Sequence, residues 1–269
     1  MDQTLILALV FFGVSILFSM LGMGGGILYV PILLFAGFGM SSAPSISLIL
    51  IAATSLAALS HFSKHNKVDW KLALVIDPPT DIMAFVGGYF STQVAEPVLR
   101  TILVVVLMTA GTLMLKNRQK NALPKIGNEH WWLWHREFHG ERYTVNLPLV
   151  LTATALIGLL SGMLGITGGI IKLPILVLLC GVPMDIAVAT STVMVAVTAL
   201  SGVAGHAIHG QVDWRTGSIL AIAALIGGLI GSRISVSMNK TRLKKIFGVM
   251  VWIIALRMVV QLISKHIGL

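Results

Sequence analysis

The stretch LGMGGGILYVPIL at residues 21–33 returns as LGITGGIIKLPIL at residues 164–176, 143 positions later. Both copies lie between long apolar segments, and both combine glycines with a proline, a composition that interrupts regular helices. A chain that repeats its most irregular motif is predicted to consist of two homologous halves.

The repeat extends well beyond this motif. With one extra residue in the second half, the V-D-W triplet at 68–70 aligns with the one at 212–214. These matches predict a first membrane repeat over residues 1–116, a linker over 117–146 and a second membrane repeat over 147–269.

The composition places both halves in a membrane. Hydrophobic residues make up 56% of the chain and charged residues 11%, with a mean hydropathy of +0.92. Soluble domains carry about twice that share of charge. We therefore predict an all-α integral membrane protein with about five apolar segments in each half. The short glycine-containing segments 24–40 and 168–182 are predicted to be broken or re-entrant helices. The segment 4–21 lacks the features of a cleaved signal peptide and is expected to be a retained helix.

The positive charges predict the orientation of the halves. Lys64, Lys67 and Lys71 crowd a connection whose counterpart in the second half carries only Arg215. The next connection has the opposite bias, with Arg100 in the first half and five basic residues between 233 and 245 in the second. Cytoplasmic basic loops then require inverted repeats, with both termini outside and the linker inside. Parallel repeats with one re-entrant segment each are the alternative.

The linker combines basic residues with a tryptophan cluster. Trp131, Trp132 and Trp134 lie within four residues. Tryptophan favours the membrane interface and basic side chains favour anionic headgroups, so we expect a short helix on the cytoplasmic leaflet. A docking site for a partner protein is the alternative.

The two glycine motifs are candidates for a ligand site. Non-helical backbone at membrane depth is tolerated where it lines protein or a water-filled cavity, and a helix that starts there directs free N–H groups at the ligand. Such a site favours an anion. Close helix packing is the competing explanation, although duplication of the motif favours a transporter site. The residues concerned are Gly24, Gly25, Gly26, Thr167, Gly168 and Gly169.

Several side chains near the motifs complete the predicted site. Lys172 is the candidate counter-charge to an anion, with snorkelling to the interface as the alternative. Hydroxyl groups spaced seven residues apart are candidate ligands for the anion, or else bond to helix backbone; they belong to Ser47, Thr54, Ser191 and Thr198. Valine at position 25 or 168 is expected to block binding through backbone strain and bulk.

Asp77 and Asp81 stand one helical turn apart around Pro78 and Pro79. They are candidates for ion coupling, by binding a cation or carrying a proton. The competing role is helix capping by Asp77 near the surface. Asp69 and Asp213, in the V-D-W triplets, are expected to cap the helices that follow them.

Other chemistry has little support in the sequence. The histidines near the third connections lack a matching ligand set, so polar contacts are expected rather than a metal site. Cys180 lies in an apolar run and is expected to be buried and unreactive. Phosphate-binding and hydrolase motifs are absent, so we expect no enzyme activity and no cofactor.

The glycine motifs, the repeated V-D-W triplet and the two-half organisation together resemble the TauE/SafE sulfite exporter family. The resemblance covers nearly the whole chain except residues 117–146, and Thr167 departs from the three-glycine form of the first motif. It implies a multi-pass permease of a prokaryotic inner membrane that moves small sulfur-containing anions such as sulfite or organosulfonates.

We therefore predict a secondary transporter for a small anion. Its expected partners are the substrate and the lipid bilayer, with no nucleic acid. The alternative is a non-transporting membrane scaffold or assembly factor that docks a partner through the tryptophan-rich linker.

Overall fold

Helices form most of the protein, as the hydropathy pattern predicts. The computed structural model describes residues 3–20, 26–115, 132–166, 168–234 and 240–267. The helices in these ranges are α1 Gln3–Ser19, α2 Gly26–Phe35, α3 Ala43–Lys64, α4 Trp70–Ile76, α5 Pro78–Phe90, α6 Glu96–Leu115, α7 Leu147–Leu164, α8 Gly169–Pro174, α9 Met184–Ile208, α10 Trp214–Ile234 and α11 Lys240–Ile267. A π-helical segment, Ile175–Leu179, follows α8, and two strands, β1 Leu133–Phe138 and β2 Glu141–Asn146, precede α7.

Four helices in the described part of the chain are long and apolar enough to cross a membrane, namely α3, α7, α9 and α10. The surface is suited to lipid, since large aliphatic side chains on several helices are 62–71% exposed, among them Leu74, Leu156 and Ile253. Many serine and threonine side chains are instead fully buried. This distribution is that of a protein whose solvent is the hydrocarbon core, and it confirms the expected membrane protein.

Each half of the chain packs one helix into the other half. Helix α5 packs against α7 and α9, and α10 packs against α1 and α3. Glycine permits these close approaches, because a Cβ on Gly162 would overlap the carbonyl of Ala84, and one on Gly231 would overlap that of Ile16. The two pairs of contacts occupy related positions of the sequence repeat.

Helices α3 and α9 run antiparallel. At the start of α3, Ser45 Oγ donates to the Gln211 carbonyl in the connection after α9, at 2.9 Å. Beyond the end of α3, the Asp69 N–H donates to Thr190 Oγ1 near the start of α9, at 3.0 Å. Matching third segments of the two halves therefore point in opposite directions.

The described end of the linker is a β-hairpin, so the expected interfacial helix is wrong for residues 133–146. Strands β1 and β2 pair in antiparallel register from Leu133–Asn146 to Phe138–Glu141. The two turn residues, His139 and Gly140, have φ of 52° and 77°. Positive φ at both positions is the geometry of a tight two-residue hairpin turn. Trp131 lies outside the described residues.

Asp69 anchors this hairpin to the membrane domain. Arg136 donates to both carboxylate oxygens of Asp69, at 2.8 and 2.9 Å, and the Tyr143 hydroxyl also donates to it. Burial opposes ionisation of Asp69, but the Arg136 and Tyr143 hydrogen bonds outweigh it and lower the pKa of the carboxyl. The carboxylate caps α4 through the Leu72 N–H at 3.1 Å. Asp213 caps α10 through the Thr216 N–H at 3.0 Å, so both expected caps are confirmed.

Candidate functional site

Lys172 lies inside the protein, beyond the second glycine motif. Helix α7 ends where Gly165 adopts a left-handed conformation with φ of +65°, and α8 begins four residues later. One turn into α8, the Lys172 side chain is 1% exposed. A buried ammonium needs charged or hydrogen-bonding partners, so snorkelling to the interface is wrong for this residue.

Lys172 forms one hydrogen-bonded group with three other side chains that the sequence selected on separate grounds. Lys172 Nζ donates to Asp77 Oδ1 at 2.6 Å and to Thr198 Oγ1 at 2.8 Å. The Thr198 hydroxyl in turn donates to Asp81 Oδ1 at 2.8 Å. We call Asp77, Asp81, Lys172 and Thr198 the charged cluster. It joins α5 of the first half to α8 and α9 of the second.

The junction of α4 and α5 positions the two carboxylates. Helical hydrogen bonds continue through Asp77, whose N–H donates to Ala73 and whose carbonyl accepts from Asp81. Pro78 and Pro79 have no N–H, which interrupts the bonding in between. Asp77 precedes α5, but its side chain makes no cap hydrogen bond and is buried. The expected surface cap is therefore wrong at Asp77.

The first half contains a neutral counterpart of the charged cluster. Tyr29 stands at the repeat position of Lys172, and its hydroxyl lies 2.8 Å from Ser15 Oγ and 3.0 Å from Thr54 Oγ1. All three side chains are fully buried. The repeat positions of Asp77 and Asp81 are Ala221 and Leu225. We call Ser15, Tyr29 and Thr54 the neutral cluster.

The remaining predicted ligands do not join either cluster in the described structure. Ser47 Oγ donates to the Gly165 carbonyl at 2.6 Å, and Ser191 Oγ donates to the Val188 carbonyl at 3.0 Å. These hydroxyls bond to backbone, which was the competing expectation. Gly26 is buried at the start of α2. Gly24, Gly25 and Thr167 lie outside the described residues.

Gly168 lies beside the Lys172 side chain, and its lack of a side chain leaves space there. Its φ of −59° and ψ of −13° are open to any residue, so the expected backbone strain is wrong at this position. A Cβ here would instead lie 2.7 Å from Ile157 Cγ2 and 3.4 Å from Lys172 Cε. The glycine gives the lysine stem room to pass. Gly169 begins α8 beside it.

A small cavity of about 10 Å³ lies between the two glycine motifs. Ile27 lines it from the first motif, and Ile166, Gly168 and Ile171 line it from the second. Its volume is about what one water molecule requires. Ser161, the hydroxyl residue in its wall, donates to the Ile166 carbonyl at 2.5 Å.

Among the histidines near the third connections, His206 makes polar contacts, as expected. His206 is buried, with Nε2 2.9 Å from the Gly162 carbonyl and Nδ1 3.2 Å from Ser91 Oγ. The His209 ring lies 4.5 Å from that of Tyr89. Within the described ranges, no three histidine, cysteine or acidic residues form a group that could hold a metal ion. Cys180 is buried, as expected.

Sequence reasoning selected Thr54 but missed Ser15 and Tyr29 of the neutral cluster, and it missed the hairpin anchor. Tyr29 occupies the repeat position of the selected Lys172, and this equivalence was a usable signal. Ser15 and Arg136 gave no comparable signal, because their partners lie on other elements and neither belongs to a repeated motif.

Comparison with known proteins agrees with this organisation. The sequence pattern of the family described as "Sulfite exporter TauE/SafE" matches residues 7–258. The chain belongs to the TauE/SafE sulfite exporter family. The family membership expected from the motifs is thereby confirmed.

The alignment with relatives from distant prokaryotes covers most of each relative's length. "Probable membrane transporter protein YunE" of Bacillus subtilis is 26% identical over 90% of this chain and 92% of its own. "Probable membrane transporter protein YfcA" of Escherichia coli K12 is 26% identical over 80% and 74%. "Probable membrane transporter protein MJ0441" of Methanocaldococcus jannaschii is 26% identical over 91% and 92%. No solved structure matches the chain. Family membership and these names support a membrane transporter.

Proposed function

We propose that this chain is a secondary transporter for a small anion, sulfite or an organosulfonate, built as an inverted repeat. The observation that carries the proposal is Lys172, an ammonium group 1% exposed near the middle of α9 and beside a glycine motif. Charged side chains inside membrane proteins are costly and mark ligand or ion pathways. The sulfur chemistry of the substrate rests on family membership alone.

The ion pair of Lys172 with Asp77 determines how an anion can bind to the ammonium. Asp77 lies 2.6 Å from Nζ, so the positive charge is already compensated in this conformation. An incoming anion competes with Asp77 for the ammonium. The cavity between the glycine motifs, at about 10 Å³, has no room for a sulfite or sulfonate group. We propose that the helices separate around the site to admit the anion.

Inverted repeats provide a way to make that movement. The antiparallel α3 and α9, and the exchange of α5 and α10 between halves, support the inverted arrangement. We propose that helices are broken at both glycine motifs, as in other secondary transporters. Gly26, Gly168 and Gly169 are proposed to line the anion path with Gly24, Gly25 and Thr167. Ser47, Thr54, Ser191 and Thr198 are proposed to support it.

The difference between the two clusters supports an asymmetric site. Lys172 supplies charge in the second half, whereas Tyr29 supplies a neutral hydroxyl at the same repeat position. The two halves therefore present different chemistry to an anion at the pseudosymmetric centre, with charged groups in the second half and neutral hydroxyls in the first. The partner-docking alternative gains no support from the hairpin, whose Arg136 and Tyr143 bind Asp69 of the same chain.

Flux into liposomes that contain only this chain tests the proposal. Radiolabelled sulfite should accumulate or exchange in these vesicles, and unlabelled organosulfonates should compete with it. Lys172→Gln should weaken the binding of a dianion more than that of a monoanion, because the lost Coulomb energy scales with ligand charge. Tyr29→Phe is the matched control at the repeat position and should preserve this ratio. Absence of anion flux in folded, monodisperse protein would refute transport.

A further inference from the structure

The charged cluster contains one more acid than base. Lys172 is matched by Asp77, and Asp81 binds only to Thr198 among the hydrogen bonds described for its carboxylate. If all three groups are ionised, the cluster carries a net charge of −1 inside the protein. Uncompensated charge in such surroundings is strongly disfavoured. One further positive charge, taken up at Asp81, would make the cluster neutral.

The elements around Asp81 do not supply that charge. Helix α7, packed against α5, contains no ionisable residue. On α9, His206 contacts Ser91 at the far end of α5, and Asp185 is exposed at the other end. Lys71 on α4 is exposed. In the described part of the chain, Asp77 and Lys172 are therefore the ionisable groups that face Asp81.

The hydrogen bonds favour a proton over a metal cation. Thr198 Oγ1 accepts from Lys172 and donates to Asp81, so the site presents protons to the carboxylate rather than a cage of oxygens. A hydroxyl has one proton and two lone pairs, and can therefore pass a proton between its neighbours. Asp81 is only partly buried, so its carboxylate is not sealed inside the protein.

We propose that the charged cluster is a proton-binding site in which Asp81 is the acceptor, and that it couples anion transport to protons. The step is the reversible protonation of the Asp81 carboxylate to a carboxylic acid. It makes the cluster neutral and removes the repulsion that a net negative cluster exerts on an incoming anion. Proton and anion then increase each other's affinity, as linkage requires, and both move in the same direction. The coupling rests on the proposed anion transport, whereas proton binding does not.

Infrared difference spectroscopy of the purified chain tests proton binding without any substrate. Acidification should produce the carbonyl stretches of the carboxyl groups that become protonated, and Asp81→Asn should lack the one that belongs to Asp81. Asp185→Asn changes an exposed carboxylate at the surface and should keep it. If Asp81→Asn does not fold, Asp81→Leu replaces it, because leucine occupies the repeat position at Leu225. A difference spectrum that is the same in the Asp81 variant and the wild type would overturn the assignment.

Proteoliposomes with a trapped pH indicator test the coupling. Methanesulfonate is the probe, since it stays ionised and carries no proton of its own. Its inward gradient should acidify the lumen, and an inward proton gradient should accelerate its uptake, with sodium or choline outside. Asp81→Asn should lose the acidification that accompanies methanesulfonate uptake, whereas Asp185→Asn, at the exposed surface, should keep it.

The outcomes separate the two proposals. Anion flux without proton movement, or flux that requires sodium, would overturn proton coupling and leave anion transport intact. Loss of all anion flux together with an Asp81-dependent carboxyl band would refute transport and retain the proton site.

Discussion

At the scale of single residues, the Lys172–Asp77 pair dominates the energetics of the interior. Both side chains are almost completely buried, at 1% and 7% exposure. A buried pair contributes little relative to apolar residues of the same shape, yet loss of one partner leaves an uncompensated charge. The pair is therefore expected to be more important as a unit than either residue is alone.

This expectation predicts a non-additive mutant cycle. Lys172→Met should destabilise the protein by about 3–5 kcal/mol, because it leaves Asp77 charged and unpaired. The double variant Lys172→Met/Asp77→Asn should recover most of that loss. Thermal unfolding in detergent, with the exposed Lys71→Met as control, measures the cycle. Additive losses in the double variant would contradict a direct pair.

Gly168 gives a second prediction at this scale. Gly168→Ala should lower both stability and transport, because the new Cβ lies 2.7 Å from Ile157 Cγ2. Ile157→Ala removes that methyl group, so the double variant should regain stability. Gly13→Ala is the control, since a Cβ there meets nothing within 4 Å, and it should stabilise α1 by about 0.5–1 kcal/mol. If the double variant shows no recovery in thermal unfolding, a steric cause is wrong.

The sequence predicted the members of the charged cluster but not their contacts. Lys172 was selected as a charge in an apolar run, Thr198 by its spacing, and Asp77 and Asp81 as carboxylates near prolines. Asp77 and Lys172 lie 95 positions apart and in different halves. The repeat equates positions between the halves, but the contacts arise from packing of α5 against α9. Only the folded arrangement determines that packing.

At the scale of elements, the hairpin shows where the composition misled. Three tryptophans and several basic residues predicted an interfacial helix. The sequence signal for a turn, a single glycine at position 140, was weaker than this compositional signal. His139–Gly140 forms the turn with positive φ at both residues, and only the glycine adopts that conformation at low cost. The bond of Arg136 to Asp69 then stabilises the hairpin from outside, by a contact between residues 67 positions apart.

The hairpin anchor predicts a measurable difference between the two V-D-W triplets. Asparagine is as good a helix cap as aspartate, so Asp69→Asn and Asp213→Asn preserve their caps. Only Asp69→Asn also removes the ion pair with Arg136 and one of its two acceptor oxygens, and it should destabilise the hairpin by about 1.5–3 kcal/mol. Hydrogen exchange of the amides in 133–146 should accelerate in that variant alone. Equal exchange in both variants would show that the ion pair does not hold the hairpin.

The same anchor predicts a dependence on pH. The pKa of Asp69 is lowered in the folded protein, so its contribution to stability is complete above the unfolded value of about 3.9. That contribution decreases as the pH falls through the lower folded pKa. Protection of the hairpin amides should therefore persist from neutral pH to about pH 4 and decrease below it. Loss of protection near neutral pH would point to a different group.

At the scale of the whole molecule, the packing determines which helix ends share a face. Helices α3 and α10 run parallel. Gly217, near the start of α10, approaches Ile49, and the later Gly228 approaches the later Thr54. Helices α5 and α9 also run parallel, with Asp81 bonded to Thr198 and Ser91 to His206. Since α3 and α9 are antiparallel, the ends of α3 and α10 lie on one face and those of α5 and α9 on the other.

Cysteine labelling in whole cells tests this topology and the inverted repeat together. In a Cys180→Ser background, cysteines at Lys64 and Thr241 lie at or beyond the ends of α3 and α10, whereas cysteines at Gln93 and His209 lie just beyond α5 and α9. The first face carries Lys64, Lys67 and Lys71 together with the hairpin, so the positive-inside rule makes it cytoplasmic. An impermeant thiol reagent should label positions 93 and 209 in intact cells, and positions 64 and 241 only after permeabilisation.

Parallel repeats would instead place 64 and 241 on opposite sides, because matched connections would then face the same way. Labelling of 241 without 64 in intact cells would therefore exclude the inverted arrangement, together with the movement between halves on which the proposed transport depends.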